Sequence, residues 1–308
     1  MHNSINILLL TGSLIKGGAE KRLMLLFQNL NKVSFNGYIG SFRKINSKIV
    51  SKYSEKNIYF LGKRGMLPIL SFKRMLNLIH SVKPKIIFSN LRRINVLLSL
   101  TRILPIRLSS VIVVGVSNNP KYHPNSFFTR MLYKNTNQLI ANSHGTKNYL
   151  CKEWGLDKQN VHVIHNGVNS NKIKSLAEDD CLFEWYKESL PIINTIGRLS
   201  LQKNLSCLIK AFSIVTEKFD SRLVIIGEGP LRQRLEGLAR SIGVAEHIWF
   251  AGFQENPYKF LARSALFVLS SRWEGFPNVL LEAMVCEVPV ISTDIDFGPR
   301  EIIDHGET

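Results

Sequence analysis

The stretch from Ser270 to Ser292, S-S-R-W-E-G-F-P-N-V-L-L-E-A-M-V-C-E-V-P-V-I-S, decides the fold. Before it, the apolar run Ala265 to Leu269 reads as a buried strand; Pro277 follows Gly275-Phe276 where a helix can start; Val288 to Ser292 reads as the next strand. The order is strand, loop, helix, strand. The helix expected over Pro277 to Val285 buries Val279, Leu280, Ala283 and Met284, and its first free N–H groups, near Gly275 to Asn278, make an anion site at the loop mouth. Glu274 stands at that mouth. Glu282 lies about two turns along the helix, where a carboxylate can accept two hydrogen bonds from a diol. An anion flanked by hydroxyls describes a nucleotide sugar. Taken alone, the same two acids serve equally as a helix cap and a solvated helix charge, so the rest of the chain has to decide.

A chain of 308 residues is long for one core, and two domains are expected. No apolar run approaches the roughly 18 residues of a membrane span, and the opening run Ile5 to Leu10 lacks a basic flank or cleavage site, so a cytoplasmic protein without a signal peptide is expected. The four cysteines are scattered, without metal or redox spacing. The net charge of +17 is unevenly spread: residues 1–180 carry 27 Lys and Arg against 7 Asp and Glu, and residues 181–308 carry 13 against 16. The first half therefore needs an anionic partner.

Along the first half, strands are expected at Ile5–Thr11, Gly37–Ser41, Lys85–Ser89, Val111–Val116, Gln138–Ala141 and Val161–Ile164. Helical patterns alternate with them near 69–82, 94–104, 127–133 and 145–153. Such alternation implies a parallel, doubly wound sheet. Gly17 and Gly18 open the first helix in a turn that allows close backbone approach to a ligand, though not as G-x-G-x-x-G. The charged stretch around Glu178-Asp179-Asp180 suggests a linker over 171–190, between a domain 1–170 and a domain 191–308. From Pro191 a second alternation begins. Gly197-Arg198 closes its first strand, Lys203 precedes the next helix, and both cations are expected at the carboxyl ends of the strands.

In this order, G-G-A-E-K at 17–21, N-G-V-N at 166–169, G-R-L-S-L-Q-K-N at 197–204, G-E-G-P-L-R at 227–232 and E-G-F-P-N-V-L-L-E-A at 274–283 resemble glycosyltransferase family 4 (group 1), over nearly the whole chain. The resemblance implies retaining enzymes of GT-B architecture: α/β, two Rossmann-like doubly wound domains facing a cleft. It implies an N-terminal acceptor domain and a C-terminal donor domain. Arg198 and Lys203 would hold the diphosphate, with Glu274 on the hydroxyls of the transferred sugar and Glu282 on the ribose. Gly17, Gly18, Gly197, Gly275, Phe276 and Asn278 would complete the donor site. Arg198, Lys203 and Glu274 would carry the chemistry, since two fixed cations stabilise the leaving diphosphate more than the ground state. No metal is expected. Asp294-Ile295-Asp296 resembles an acidic metal motif of other glycosyltransferases, but two cations already serve the phosphate.

The chain departs from the family pattern twice. Where many members carry a His after the strand V-I-V-V-G-V, this chain has Asn118 and Asn119, with His123 nearby as a substitute on the acceptor side. An Asn cannot act as a base, so a front-face reaction is expected, in which the leaving phosphate takes the acceptor proton. Family members also continue beyond D-H-G-E-T, so the second domain is expected to lack its usual C-terminal elements. The resemblance implies a hexosyltransferase using a nucleotide sugar, of UDP type, on a lipid-linked or surface-polysaccharide acceptor, as in lipopolysaccharide or capsule synthesis. An inactive nucleotide-sugar binder and a GT-B epimerase are the alternatives. Against a nucleic-acid partner, the cations are interleaved with aliphatic helices. Segments 62–76, with Lys63, Arg64, Lys73 and Arg74, and 92–107 instead suggest peripheral docking on an anionic inner membrane face.

Overall fold

The computed structural model describes residues 4–14, 18–43, 57–62, 68–104, 106, 108–117, 119–122 and 126–306. The chain divides into two compact units, 1–166 and 167–308.

In the first unit the strands are β1 (Ile5–Thr11), β2 (Phe35–Ser41), β3 (Ile58–Phe60), β4 (Ile86–Ser89), β5 (Val111–Val116), β6 (Gln138–Ala141) and β7 (Val161–Val163). They form one parallel sheet in the order β3-β2-β1-β4-β5-β6-β7. β1 is central, with Leu8 opposite Tyr38 on one side and Ile87 on the other. A strand flanked on both edges and covered on both faces must be apolar at consecutive positions, and Leu8, Leu9 and Leu10 are wholly buried. The helices are α1 (Gly18–Asn29), α2 (Pro68–Val82), α3 (Arg92–Leu100), α4 (Ser126–Tyr133) and α5 (His144–Lys152). Leu23 and Met24 of α1 cluster with Leu9 and Ile39, whereas Met75 and Ile79 of α2 and Leu98 of α3 cluster with Leu8 and Ile87. β3 was not foreseen; it is three residues long with two of them exposed, and carries no alternation to detect.

The second unit contains β8 (Ile192–Ile196), β9 (Arg222–Ile226), β10 (Ile248–Gly252), β11 (Leu266–Leu269) and β12 (Val290–Ser292), all parallel, in the order β10-β9-β8-β11-β12. Its helices are α6 (Ser170–Ala177), α7 (Leu205–Thr216), α8 (Arg232–Ser241), α9 (Tyr258–Leu261) and α10 (Asn278–Val285). Leu208, Ile209 and Phe212 of α7 and Leu235 of α8 cluster with Leu223 and Ile225, and Leu280 and Ala283 of α10 with Phe267 and Leu269. No helix among the described residues is long and apolar enough to cross a membrane.

The stretch 171–190, expected as a linker, is packed into the second unit. Asn169 caps α6 by accepting from the Lys172 N–H at 2.9 Å, and Ile173 is buried. The carbonyls that the end of α6 leaves open are met by distant side chains: Asn256 donates to Leu176 at 2.7 Å and Arg263 to Ala177 at 3.0 Å. Beyond α6, Phe183 stacks on Trp249 with ring centroids 3.7 Å apart, and the Arg222 guanidinium lies 4.9 Å over Trp185. A helix with one buried residue and C-terminal partners supplied from 80 or more residues away leaves little local pattern to read beyond its Asn169 cap.

Candidate functional site

The second sheet reverses its winding at β8, since β9 and β10 lie to one side and β11 and β12 to the other. The loops leaving β8 and β11 therefore flank a topological switch point, where open α/β sheets bind ligands. Those two loops carry Gly197, Arg198, Lys203, Glu274, Gly275 and Phe276.

Lys203 ends a short 3-10 turn, Leu201–Lys203, and its stem lies against Gly197: a Cβ at 197 would stand 2.9 Å from Lys203 Cε. Glycine there leaves the lysine its path. The ammonium donates to Glu274 Oε1 at 2.7 Å, with the two side chains only 15% and 10% exposed. Ser271 Oγ donates to the same oxygen at 2.7 Å, and Gln202 Nε2 to Oε2 at 3.3 Å. Further bonds join the two loops: Ser270 Oγ donates to the Lys203 carbonyl at 2.8 Å, the Arg272 N–H to the Gln202 carbonyl at 2.8 Å, and Gln202 Nε2 to the Trp273 carbonyl at 3.0 Å. The two residues expected to serve different parts of a ligand are thus one ion pair. An ammonium has three donors and a carboxylate about four acceptor sites, so each retains capacity for a ligand. Ser271 and Gln202 were not singled out by sequence, although both flank the motif residues. Arg198 is exposed and, among the described residues, has no ion-pair partner.

The turn G-E-G-P after β9 lies against the 197–199 loop. Gly227 has φ 137°, and a Cβ on it would meet the Gly197 carbonyl oxygen at 2.0 Å; the Leu199 N–H donates to the Glu228 carbonyl at 3.0 Å. The close approach these glycines allow is to the chain's own backbone, and it holds the Arg198 loop in place.

α10 starts at Asn278 behind Pro277, with no side-chain cap; Gly275, Phe276 and Pro277 are buried and Asn278 half-buried. Leu280 and Ala283 face the core as expected, while Val279 and Met284 are half-buried. Glu282 is half-buried and hydrogen-bonded to the Tyr258 hydroxyl of α9, a residue no sequence motif pointed to. Burial and the Glu282 carboxylate together push Tyr258 far above the usual tyrosine range, and the same two causes push the Cys286 thiol up to about 11. Asp294 and Asp296 are both paired with Arg300, whose Nη2 donates to Asp294 Oδ2 at 2.8 Å. That contact holds the Asp294 carboxyl below its usual range.

In the first unit, Gly18 opens α1, while Gly17, Asn118 and His123 lie outside the described residues. Asn119 is buried and its Oδ1 accepts from the Lys121 N–H at 3.0 Å. Arg22 of α1 donates to Asn166 Oδ1, which joins the G-G-A-E-K and N-G-V-N stretches. His144 and His165 meet edge to face with ring centroids 5.5 Å apart.

Two family models match consecutive parts of the chain: Glycosyltransferase Family 4 over residues 50–172 and Glycosyl transferases group 1 over residues 184–308. An uncharacterized glycosyltransferase of Methanocaldococcus jannaschii is 30% identical over 246 residues, covering 75% of this chain and 60% of that protein. A Campylobacter jejuni enzyme, N-acetylgalactosamine-N,N'-diacetylbacillosaminyl-diphospho-undecaprenol 4-alpha-N-acetylgalactosaminyltransferase, is 29% identical over 313 residues, covering 96% of this chain and 82% of that one. Among solved structures, Anabaena HepE in complex with UDP-glucose superposes with a TM-score of 0.80 at 18% identity, over 98% of this chain and 84% of that one. With a family model matching each unit in order and a parallel α/β sheet in each, the chain belongs to the family 4, group 1 glycosyltransferases of GT-B fold.

Proposed function

We propose that this protein is a retaining, metal-independent glycosyltransferase. It moves a hexose or N-acetylhexosamine from a nucleotide-diphospho-sugar, of UDP type, to a lipid-linked or surface-polysaccharide acceptor, working at an anionic membrane face. The observation that carries the reading is the Lys203–Glu274 pair at the switch point of the second sheet, with Arg198 exposed on the same loop that leaves β8. Together these residues offer two cations for a diphosphate and a carboxylate acceptor for sugar hydroxyls on two loops hydrogen-bonded to each other. The name of the Campylobacter relative gives an undecaprenyl-diphosphate-linked acceptor, and HepE has been captured with UDP-glucose; both support the substrate class.

In this mechanism the acceptor oxygen bonds to the sugar C1 as the bond from C1 to the phosphate oxygen breaks on the same face. The proton of the acceptor hydroxyl passes to the departing phosphate oxygen. Charge grows on the diphosphate, where Arg198 and Lys203 stabilise it more than in the ground state. Glu274 orients the transferred sugar through the free lone pairs of its carboxylate, and Glu282 holds the ribose diol. Arg300 pairs with Asp294 and Asp296 on the surface, which supports a reading in which that motif serves no metal. The test is incubation with a panel of labelled nucleotide sugars and a membrane extract, with and without chelator. Transfer of label into lipid from one donor, with its anomeric configuration kept and chelator without effect, is the expected result. Epimerised free donor, or no turnover with any donor, overturns it.

A further inference from the structure

Helix α4 has two apolar faces and only one of them is covered. Thr129, Leu132 and Tyr133 point into the first unit and are at most 3% exposed. On the other side, Phe127 is 80% exposed, Phe128 45% and Met131 44%. Positions 127 and 131 are one turn apart, so they share a stripe, with 128 beside it. Two solvent-facing phenylalanines in succession on an eight-residue helix are not the scattered apolar exposure that soluble surfaces tolerate. Tyr122, 49% exposed, lies in the 3-10 turn that precedes the helix, and the cations Lys121, Arg130 and Lys134 stand before, within and just after it. No Asp or Glu occurs anywhere between Glu55 and Glu153.

We infer that the Phe127–Phe128–Met131 face of α4 is a membrane-insertion element, seated in the acyl boundary of an anionic bilayer with Lys121, Arg130 and Lys134 at the head groups. Charge decides the occupant. A second copy of the chain would bring an identical cationic surface against this one, since residues 1–166 carry 25 Lys and Arg against 4 Asp and Glu. Three or four side chains are also far short of a stable protein interface, but they are the usual scale of an interfacial anchor. An anionic lipid surface neutralises the cations and takes up the aromatics together. In the segment 92–107, helix α3 turns Ile94 and Leu98 inward, while Ile103 and Leu104 beyond it are exposed. In segment 62–76 Lys63 and Arg64 lie outside the described residues, and Ile69, Leu70 and Lys73 are exposed at the start of α2.

The inference rests on the membrane part of the proposed function and names the face that makes the contact. Co-sedimentation is measured with phosphatidylcholine vesicles with and without phosphatidylglycerol, for the full chain and for Phe127→Ser/Phe128→Ser. Both replaced side chains are exposed, so the fold is retained, and circular dichroism checks this. The full chain is expected to bind the anionic vesicles and to lose at least about tenfold in partition in the double variant. A Phe127→Trp variant is expected to add, above the emission of the four tryptophans the chain already has, a component that brominated acyl chains quench. If the full chain binds and the double variant binds equally, the α4 assignment falls while membrane docking stands. If the full chain binds neither vesicle, both fall. If the double variant changes the sedimentation coefficient of the free protein instead, the face belongs to a second copy. UDP affinity is measured on the same samples and is expected to be equal in both proteins, so a failure of the transferase reading shows separately.

Discussion

Lys203 and Glu274, 71 positions apart in sequence, are joined at 2.7 Å in a nearly buried ion pair that ties the loop after β8 to the loop after β11. Neither partner can be removed without leaving the other charge in a poorly solvated place. Lys203→Ala and Glu274→Ala are each expected to lower the unfolding free energy by about 3 kcal/mol in urea titration. The double variant should cost clearly less than the two together, because both single changes break the same contact. Additive losses would mean that the pair contributes nothing in solution.

Two glycines beside that pair separate folding from binding. A Cβ at Gly197 meets the Lys203 stem, which is flexible and can move aside, whereas a Cβ at Gly227 meets a backbone oxygen at 2.0 Å and sits at φ 137°. Gly227→Ala is therefore expected to lower the thermal midpoint strongly, with a loss of roughly 2 kcal/mol or more. Gly197→Ala should lower the midpoint less, by no more than loosening the Lys203–Glu274 contact costs, while weakening nucleoside-diphosphate binding as the Lys203 stem shifts. The reverse ranking would show that the 197–199 loop is not held by the 227–229 turn.

How much of this was legible without coordinates differs by element. β1, β5 and β6 fall at the expected residues because a strand covered on both faces reads as a mainly apolar run, and β8 falls between Pro191 and Gly197 as expected although Asn194 and Thr195 are buried within it. The motif residues of the β8 and β11 loops could be located for a related reason: each follows an apolar run that fixes where the strand ends. That Lys203 and Glu274 contact each other could not be read, since the pairing of β8 with β11 is set by sheet order and not by local pattern. Tyr258 was missed because nothing in a four-residue helix signals that its hydroxyl reaches Glu282. The exposed face of α4 was missed because an apolar stripe reads the same whether it is covered or bare.

Arg198 offers the opposite test to Lys203. It is exposed and, among the described residues, has no ion-pair partner, so the fold does not depend on it. Arg198→Ala is expected to weaken UDP by about tenfold to a hundredfold, the worth of one charge-assisted contact, with an unchanged unfolding midpoint. Calorimetry with UDP and with UDP-sugar then divides the carboxylates. Glu282→Ala should weaken both ligands, Glu274→Ala mainly the sugar-bearing one, and chelator neither. Equal losses for both ligands in both variants would remove the division of roles.

Cys286, on the turn that follows α10, reports on Glu282 from a distance that leaves the site intact. Burial and then the Glu282 charge raise its thiol from 9.0 to about 11. A raised pKa favours the neutral thiol, and only the thiolate is alkylated, so at pH 8 its reactive fraction is about a hundredfold below that of an ordinary thiol. Labelling by iodoacetamide, followed on the Cys286 peptide by mass spectrometry, should be slow and should still be accelerating above pH 9. Because burial is the larger cause, Glu282→Gln is expected to speed labelling only a few-fold, by removing the negative charge and leaving the packing in place. Tyr258→Phe removes the hydroxyl partner of Glu282 while keeping that charge, so it should not speed labelling in the same way. If UDP then slows Cys286 labelling in the unsubstituted chain but not in Glu282→Gln, the ribose is held where Glu282 stands. Labelling that ignores both the substitution and the nucleotide would separate Glu282 from the donor.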